Sequence, residues 1–265
     1  MADAGGRAGL REVIDPQAPV RRSPASDAPL DTEALKGERV MVAETTPEGW
    51  CRGTLAADGY AGWLPENALA APGPTATHKV VVPRTLVFPG HSIKLPPLEA
   101  LSLGCRLAIA RTEEPFAVTH SGGYVPARHL APLDTFAPDM VAVAEAFLHV
   151  PYLWGGKTSL GLDCSGLVQI ALTACGVPCP RDSHMQEAAL GAALSPARDL
   201  SALRRGDLLF WNGHVAIVRD PDTLIHANAF HVAVAIEPIT QALARITEAG
   251  SELTSVRRIG PRRMG

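Results

Sequence analysis

The sequence lacks any long hydrophobic run. No window of about 18 consecutive apolar residues occurs in the 265-residue chain, so no segment is long enough to cross a bilayer as a helix. The N-terminus also lacks the apolar core of a secretory signal, because Asp3, Arg7 and Arg11 interrupt its stretch of glycine and alanine. We therefore expect a cytoplasmic protein without a membrane partner.

Cysteine is scarce, and neither sign of charge dominates. Five cysteines, an odd number, do not form the framework of paired disulfides that stabilises small secreted domains. The 24 basic and 27 acidic residues leave a net charge of -3, so the chain has no broad positive field to hold nucleic acid. Glycine and proline number 24 and 23, too few for a disordered chain, and the sequence predicts a turn-rich globular protein.

The first half of the chain has the pattern of short β-strands separated by turns. Residues 1–30 contain several prolines among small and charged residues, which predicts an irregular N-terminal arm. Alternating polar and apolar residues over 38–43 then predict a strand of a first small β-barrel. We place this barrel at residues 31–72, with the option that part of 10–30 belongs to it.

A second copy of this pattern follows. Gly104–Ala110 repeats the character of Gly37–Ala43, which predicts a second small β-barrel over residues 76–133. Both copies resemble the bacterial Src-homology-3-like (SH3-like) barrel through their endings, Gly59–Pro65 and Gly122–Pro126. The aromatic side chains in these endings, Trp63 and Tyr124, can either fill their own barrels or contribute to binding.

A third domain is predicted from residue 138 to residue 265, where the spacing of apolar residues becomes helical. Its motifs resemble the NlpC-type peptidase family, whose members cut γ-D-glutamyl bonds in peptidoglycan peptides. The resemblance implies an α+β chain, with a papain-like NlpC-type catalytic domain preceded by two small all-β SH3-like barrels. The motifs that carry it are Pro151–Gly156, Leu162–Gln169, Pro180–Gln186, Gly206–Trp211, Gly213–Val218 and Ile225–Ala227.

The resemblance also implies roles for individual residues. It makes Cys164 the nucleophile, His214 the base and His226 the third polar residue of the catalytic group. Tyr152 resembles the tyrosine that lines the oxyanion hole in the family. The residues that correspond to the pocket for D-Glu are Trp154, Asp163, Ser165, Arg181, Asp182 and Ser183.

The residues around Cys164 support this role independently. Leu167, Ile170 and Ala171 form one helical stripe, and Gly176 stands where a C-terminal cap belongs. Cys164 therefore falls in the first turn of a helix, with Asp163 as a possible N-cap. Because unpaired N–H groups at a helix start favour an anion, we expect a thiolate nucleophile.

The two histidines can be placed by strand register. Asn212–Gly213 predicts a hairpin turn, and the strand that begins at His214 is followed by another that contains His226. We expect these two strands to pair with Val218 opposite Leu224. In that register the histidines share a face and are diagonal neighbours, whereas a slip of one residue would separate them. We expect His214 to move the proton and His226 to orient its ring.

No metal or cofactor is expected. Cys175, Cys179 and His184 lie near one another in sequence, but zinc needs four ligands and a second ligand pair at the usual spacing is missing. Besides its role in the pocket, Arg181 can form a local ion pair with Asp182 at the start of the next helix, and the two functions are compatible.

The layout favours a recycling enzyme. Family members with barrels before the catalytic domain include intracellular enzymes in which a barrel binds the free amine of L-Ala, so that only short muropeptides fit. The resemblance therefore implies a dipeptidyl-peptidase that releases L-Ala-γ-D-Glu from diaminopimelate or lysine. The barrel carboxylate that binds the amine stays open among Glu38, Glu44, Glu48, Asp58 and Glu66.

Two alternatives remain open in the sequence. One is an exported endopeptidase that remodels intact peptidoglycan, and the other is a muropeptide-binding protein without enzymatic activity. The second would be expected to lack one of the three catalytic residues, yet all three are present. The preferred diamino acid and the oligomeric state are not predicted.

Overall fold

The computed structural model describes residues 8–194 and 200–260 of the chain. The chain divides into two compact units, Met1–Thr135 and Phe136–Gly265. None of the helices in the described ranges has the length and apolar character needed to cross a membrane.

Residues 9–70 of the first unit form one antiparallel sheet of seven strands. Its order is β3-β2-β6-β5-β4-β1-β7, and alternate residues of the strands, such as Val13, Val40 and Leu64, enter one apolar core. The strands are β1 (Gly9–Val13), β2 (Gln17–Arg21), β3 (Leu30–Leu35), β4 (Arg39–Thr45), β5 (Trp50–Leu55), β6 (Ala61–Pro65) and β7 (Leu69–Ala70).

The expectation of an irregular arm over residues 1–30 is corrected at the two strands that begin the sheet, which agree with the option that part of 10–30 belongs to it; residues 1–7 lie outside the described part. β1 pairs with β4 and β7, and β2 pairs with β3, because Val13, Ala18 and Val20 are fully buried in the core of the sheet. Pro19 is tolerated within β2 because only β3 pairs with the strand at that position.

The rest of the first unit consists of three small antiparallel sheets, with the orders β10-β9, β11-β8-β15 and β12-β13-β14. Val80, Leu101 and Val125 belong to their shared apolar cluster. The strands are β8 (His78–Val80), β9 (Arg84–Val87), β10 (Glu99–Ser102), β11 (Arg106–Leu107), β12 (Ile109–Glu113), β13 (Phe116–Thr119), β14 (Tyr124–Pro126) and β15 (Leu130–Pro132).

The second unit combines short helices with a six-stranded sheet of order β18-β23-β19-β20-β21-β22. Its helices are α1 (Met140–Glu145), α2 (Cys164–Ala174), α3 (Ser183–Ala189) and α4 (Ile239–Glu248). Its strands are β16 (Lys157–Thr158), β17 (Gly161–Leu162), β18 (Ala192–Ala193), β19 (Leu208–Trp211), β20 (His214–Val218), β21 (Thr223–Asn228), β22 (Ala233–Pro238) and β23 (Leu253–Arg258). Mixed α and β structure with few helices agrees with the expected class.

Two helices fix the position of the site relative to this sheet. α2 packs against β20 and β21, and nearly all of its residues are buried. Gly176, with a φ of 76°, ends the helix in the left-handed conformation that the sequence predicted there. On α4, Ile239 and Ala242 join Val218 and Leu224 in one apolar cluster.

Candidate active site

Cys164 is the first residue of α2, and its side chain lies against the hairpin between β19 and β20. Asp163 is the N-cap, as the sequence predicted, because its Oδ1 accepts a 2.7 Å hydrogen bond from the backbone N–H of Gly166. The sulfur of Cys164 is 4.0 Å from the carbonyl oxygen of Gly213 at the hairpin turn. The residue next to that turn is His214, so the sulfur lies against the turn from which the histidine begins its strand.

The first turn of α2 requires a glycine at position 166. A Cβ atom there would lie 2.2 Å from the carbonyl oxygen of Gly156, a backbone atom that cannot move aside easily. The backbone N–H of the preceding residue, Gly155, donates a 2.8 Å hydrogen bond to Asp163 Oδ2. The glycine pair therefore allows the loop that carries Tyr152 and Trp154 to approach the start of the helix closely.

A buried ion pair supports the same turn. Arg181 donates to both oxygens of Asp163, at 3.0 and 2.7 Å, and to the hydroxyl of Ser165 at 2.8 Å. Only 1% of the Arg181 side chain is exposed, and both of its terminal nitrogens are engaged inside the protein. Burial pairs Arg181 with Asp163, and together they hold the helix start; the substrate contacts expected for both residues stay a prediction.

His214 and His226 meet as the register predicts. Val218 lies opposite Leu224, and the two rings face each other with His214 Nε2 2.8 Å from His226 Nδ1. The other ring nitrogen of His226, Nε2, is 2.7 Å from Glu237 Oε1 on β22. The two imidazoles and this carboxylate thus form one hydrogen-bonded row on a single face of the sheet.

Burial determines the charge of the reacting groups. It raises the pKa of the Cys164 thiol to about 12, an effect to which the neighbouring Asp163 carboxylate adds. Burial, together with the charges of His226 and Arg245, lowers the pKa of His214 to about 3. Desolvation therefore opposes the resting thiolate that the sequence predicts, and it favours the neutral form of both groups.

Tyr152 lies beside the thiol. The backbone of Tyr152 forms a bridge with Leu162, two residues before the cysteine. Burial raises the pKa of its hydroxyl, and Cys164 and Asp163 raise it further. The hydroxyl therefore stays protonated and can donate a hydrogen bond.

The other residues expected in the pocket differ in exposure. Trp154 is 64% exposed, whereas Ser165 is buried beneath the start of the helix. Asp182 precedes α3 and Ser183 is its first residue, and both are half-buried. Gln186 ties α3 to α2, because its amide donates 2.9 Å hydrogen bonds to the carbonyl oxygens of Ser165 and Pro180.

Sequence reasoning missed Glu237 and the positioning role of Gln186. Glu237 is on a different strand from both histidines, and only the pairing of β21 with β22, which places it opposite Leu224, brings it to His226. Gln186 stood in the motif Pro180–Gln186, and its place in that motif was the available signal.

The site contains one group of potential metal ligands that sequence spacing did not predict. Ligand atoms of His226, His231 and Glu237 lie within 4.8 Å of one another. Both ring nitrogens of His226 are already engaged in hydrogen bonds, and Glu237 is paired with Arg245. A metal would have to displace these partners, so the group fits a hydrogen-bonded array better than an ion site.

The five barrel carboxylates named above have different surroundings. Glu38 is buried and accepts a 2.9 Å hydrogen bond from the N–H of Leu35. Asp58 accepts one from the N–H of Tyr60, and Glu44 lies 3.7 Å from Arg52. Glu48 and Glu66 are exposed. These contacts do not select one of the five, and the amine contact stays a prediction.

The geometry defines a class of site. A thiol at a helix start, a neutral imidazole beside it and protonated donors nearby are the components of acyl transfer through a sulfur nucleophile. Residues 149–247, which include all of these groups, match the NlpC/P60 family. Residues 20–69 match the bacterial dipeptidyl-peptidase SH3 domain.

Relatives with known names extend over most of the chain. The γ-D-glutamyl-L-lysine dipeptidyl-peptidase of Bacillus subtilis (strain 168) is 28% identical over 254 residues, which cover 88% of this chain and 82% of that protein. The protein of the same name from Bacillus cereus (strain ATCC 10987) is 24% identical over 242 residues, 79% of this chain and 71% of that protein.

A solved structure has the same fold. The crystal structure of an NlpC/P60 family protein from Bacillus cereus ATCC 10987 matches with a TM-score of 0.79 at 22% identity, covering 96% of this chain and all of that one. The chain thus contains an NlpC/P60 domain at residues 149–247 and a bacterial SH3 domain at residues 20–69.

Proposed function

We propose that this protein is a cysteine peptidase that hydrolyses the γ-D-glutamyl bond to a diamino acid in peptides derived from peptidoglycan. The observation that carries the proposal is the array of Cys164, His214 and His226, in which the thiol lies at the hairpin turn and the facing nitrogens of the two rings are 2.8 Å apart. The names of the relatives support the choice of bond.

The first step is attack by the thiol. Because both groups start neutral, His214 takes the proton of Cys164 as the sulfur attacks the amide carbon. The proton then passes from His214 to the nitrogen of the leaving diamino acid, the C–N bond breaks and a thioester remains. Water attacks the thioester with His214 again as base, and the carboxylate product leaves with the thiol restored.

Hydrogen-bond donors stabilise the oxyanion that forms during both attacks. The backbone N–H of Cys164 stands at the start of α2, where no helical carbonyl can accept from it. The Tyr152 hydroxyl, which burial keeps protonated, is the second donor. Donors that lie ready in a site shielded from water lower the barrier without further rearrangement.

The free α-carboxylate of D-Glu needs a polar pocket. We assign its contacts to the hydroxyl of the half-buried Ser183 at the start of α3 and to the indole N–H of Trp154 in the loop after Tyr152, with Asp182 lining the pocket as the residue before Ser183. Arg181 and Ser165 act indirectly, since they hold Asp163 and the first turn of α2.

The substrate we propose is a short muropeptide with a free N-terminus, from which the enzyme releases L-Ala-γ-D-Glu. The SH3 match at residues 20–69 and the dipeptidyl-peptidase names of relatives that cover the chain support it. We further propose that residues 76–133 are a second SH3-like barrel, and that the enzyme works on cell-wall fragments in the cytoplasm. A requirement for a free N-terminus would distinguish an enzyme that recycles short fragments from one that cleaves the intact wall.

The test compares two peptides, each with a free and with an acetylated N-terminus. L-Ala-γ-D-Glu-L-Lys, its meso-diaminopimelate counterpart and the N-acetylated form of each are incubated with the protein, and the products are identified by mass spectrometry. We expect L-Ala-γ-D-Glu to appear from the free peptides, with kcat/KM at least about tenfold lower for the acetylated ones, one decade being the effect of about 1.4 kcal/mol.

Cysteine variants provide the control. C164A should remove cleavage, whereas C175A, at a partly exposed cysteine in the same unit, should retain it. Equal cleavage of free and acetylated peptides would remove the dipeptidyl specificity. Cleavage by C164A would remove the proposed nucleophile.

A further inference from the structure

The row of hydrogen bonds behind the histidines ends on a carboxylate that no motif includes. Glu237 is buried, with 8% of its side chain exposed, and its Oε1 lies 2.7 Å from His226 Nε2. The same oxygen accepts a hydrogen bond from Arg245 on α4, and the guanidinium of Arg245 lies 4.4 Å from the ring centre of Phe230. Glu237 is thus held from two sides.

The charge of Glu237 fixes its role as an acceptor. Burial alone would raise the pKa of Glu237, but hydrogen bonding to His226 and the charge of Arg245 lower it. The group is therefore an ionised carboxylate at neutral pH. A carboxylate can only accept, so the proton of His226 must be on Nε2. The other nitrogen of His226, Nδ1, then carries a lone pair.

The protonation of His226 in turn determines which nitrogen of His214 is free to face the thiol. His226 Nδ1 can only accept, so the 2.8 Å contact with His214 requires a proton on His214 Nε2. A neutral His214 with its proton on Nε2 has its lone pair on Nδ1. That nitrogen is the one left to take the proton of Cys164.

We propose that Glu237 is a positioning residue, which sets the tautomers of His226 and His214 so that the unprotonated nitrogen of His214 is available to the thiol. The inference rests on the proposed cysteine peptidase reaction. Glu237 touches neither substrate nor thiol, and it acts through His226.

Two variants test whether Glu237 acts by accepting the hydrogen bond of His226 or only by pairing with Arg245. Glu237→Met removes the acceptor and is expected to lower kcat about 100-fold, the lower end of the contribution of a general base, with KM changed by less than about threefold. Glu237→Gln keeps an oxygen that can accept from His226 and should recover about tenfold of that loss. The control is Glu145→Met, which removes a carboxylate paired with Arg219 at 2.7 Å in the same unit and should keep kcat within about twofold.

Nitrogen-15 NMR of the histidine rings tests the tautomers without substrate. In the wild-type protein we expect both His214 and His226 to be protonated at Nε2, and in Glu237→Met we expect His226 to exchange between its two neutral forms. A wild-type His226 protonated at Nδ1 overturns the proposal. So does a folded Glu237→Met with the kcat of Glu145→Met.

The two hypotheses can fail separately. If the wild-type protein cleaves none of the peptides but shows the expected tautomers, the proposed substrate is wrong and the positioning role of Glu237 stands. If Glu237→Met does not fold, as circular dichroism would show, Glu237→Gln and the wild-type spectrum decide the question.

Discussion

At the scale of single residues, burial decides how the nucleophile is activated. A helix start and a nearby imidazolium commonly lower a thiol pKa, but both effects require that charge be tolerated at the site. Here desolvation moves the pKa of Cys164 up and that of His214 down. In the proposed reaction the proton is therefore transferred during attack and not before it, so that His214 would act as a base rather than as a counterion.

This charge state predicts how alkylation depends on pH. Because thiolate is the reacting form and the pKa of Cys164 is raised to about 12, its labelling by iodoacetamide should rise about tenfold per unit between pH 6 and pH 9. The rate at each pH is measured by peptide mass spectrometry. Cys105 should stay unlabelled, because burial also raises its pKa to about 12 and its side chain has no exposed surface. A rate at Cys164 that is already maximal at pH 6.5 would reveal a resting thiolate and contradict this account.

Sequence and structure agree on the positions of residues that are set by neighbours close in the sequence. The N-cap at Asp163 is local, and the placement of the histidines follows from one turn and one register. Glu237 could not be found in this way, because a glutamate on a strand usually faces water and its contact with His226 needs a third strand. The charge of Cys164 could not be found either, since desolvation is a property of the folded surroundings.

At the scale of elements, the site depends on how closely a loop approaches a helix. Gly155 and Gly156 pass over the first turn of α2, and the backbone of Gly156 occupies the space that a side chain at position 166 would need.

Strand β2 is an element that composition alone predicts wrongly. Its proline suggested an irregular arm, yet its alternating buried residues make it a strand. Local composition predicts such a strand poorly, because its pairing depends on β3 and β6, which lie elsewhere in the sequence.

Gly166→Ala tests the close approach. The added Cβ would meet the carbonyl oxygen of Gly156 at 2.2 Å, so the loop or the helix must shift. We expect a loss of about 1–3 kcal/mol in the free energy of unfolding, the usual cost of overpacking, and a loss of kcat because Tyr152 moves relative to the thiol. Urea unfolding and peptide cleavage measure the two effects.

Gly260→Ala is the matched control, since a Cβ there meets no atom within 4 Å. It should leave both quantities unchanged. A Gly166→Ala protein with wild-type stability and wild-type kcat would show that the loop does not depend on this contact.

At the scale of the whole molecule, the chain has two compact units, each with apolar clusters of its own. Cys164, His214 and His226 all lie in Phe136–Gly265, the cysteine on a helix that packs against one six-stranded sheet and the histidines on two strands of that sheet. The stability of that unit depends in part on the Arg181–Asp163 pair, because a carboxylate left alone in a buried position is costly. Loss of this pair should therefore lower the stability of the unit that contains it more than that of the other unit.

Arg181→Met tests this by hydrogen exchange. Removing the guanidinium leaves Asp163 buried and unpaired, which should cost about 3–5 kcal/mol and speed exchange in the strands β19 to β21. Exchange in β4 to β6, whose core residues belong to a separate cluster, should stay as in the wild-type protein. Arg205→Met is the control, since Arg205 pairs with Asp139 at 2.7 Å but is 42% exposed, and its loss should cost less than about 1 kcal/mol. Equal acceleration of exchange in both units by Arg181→Met would mean that the chain unfolds as a single cooperative body and would contradict the prediction.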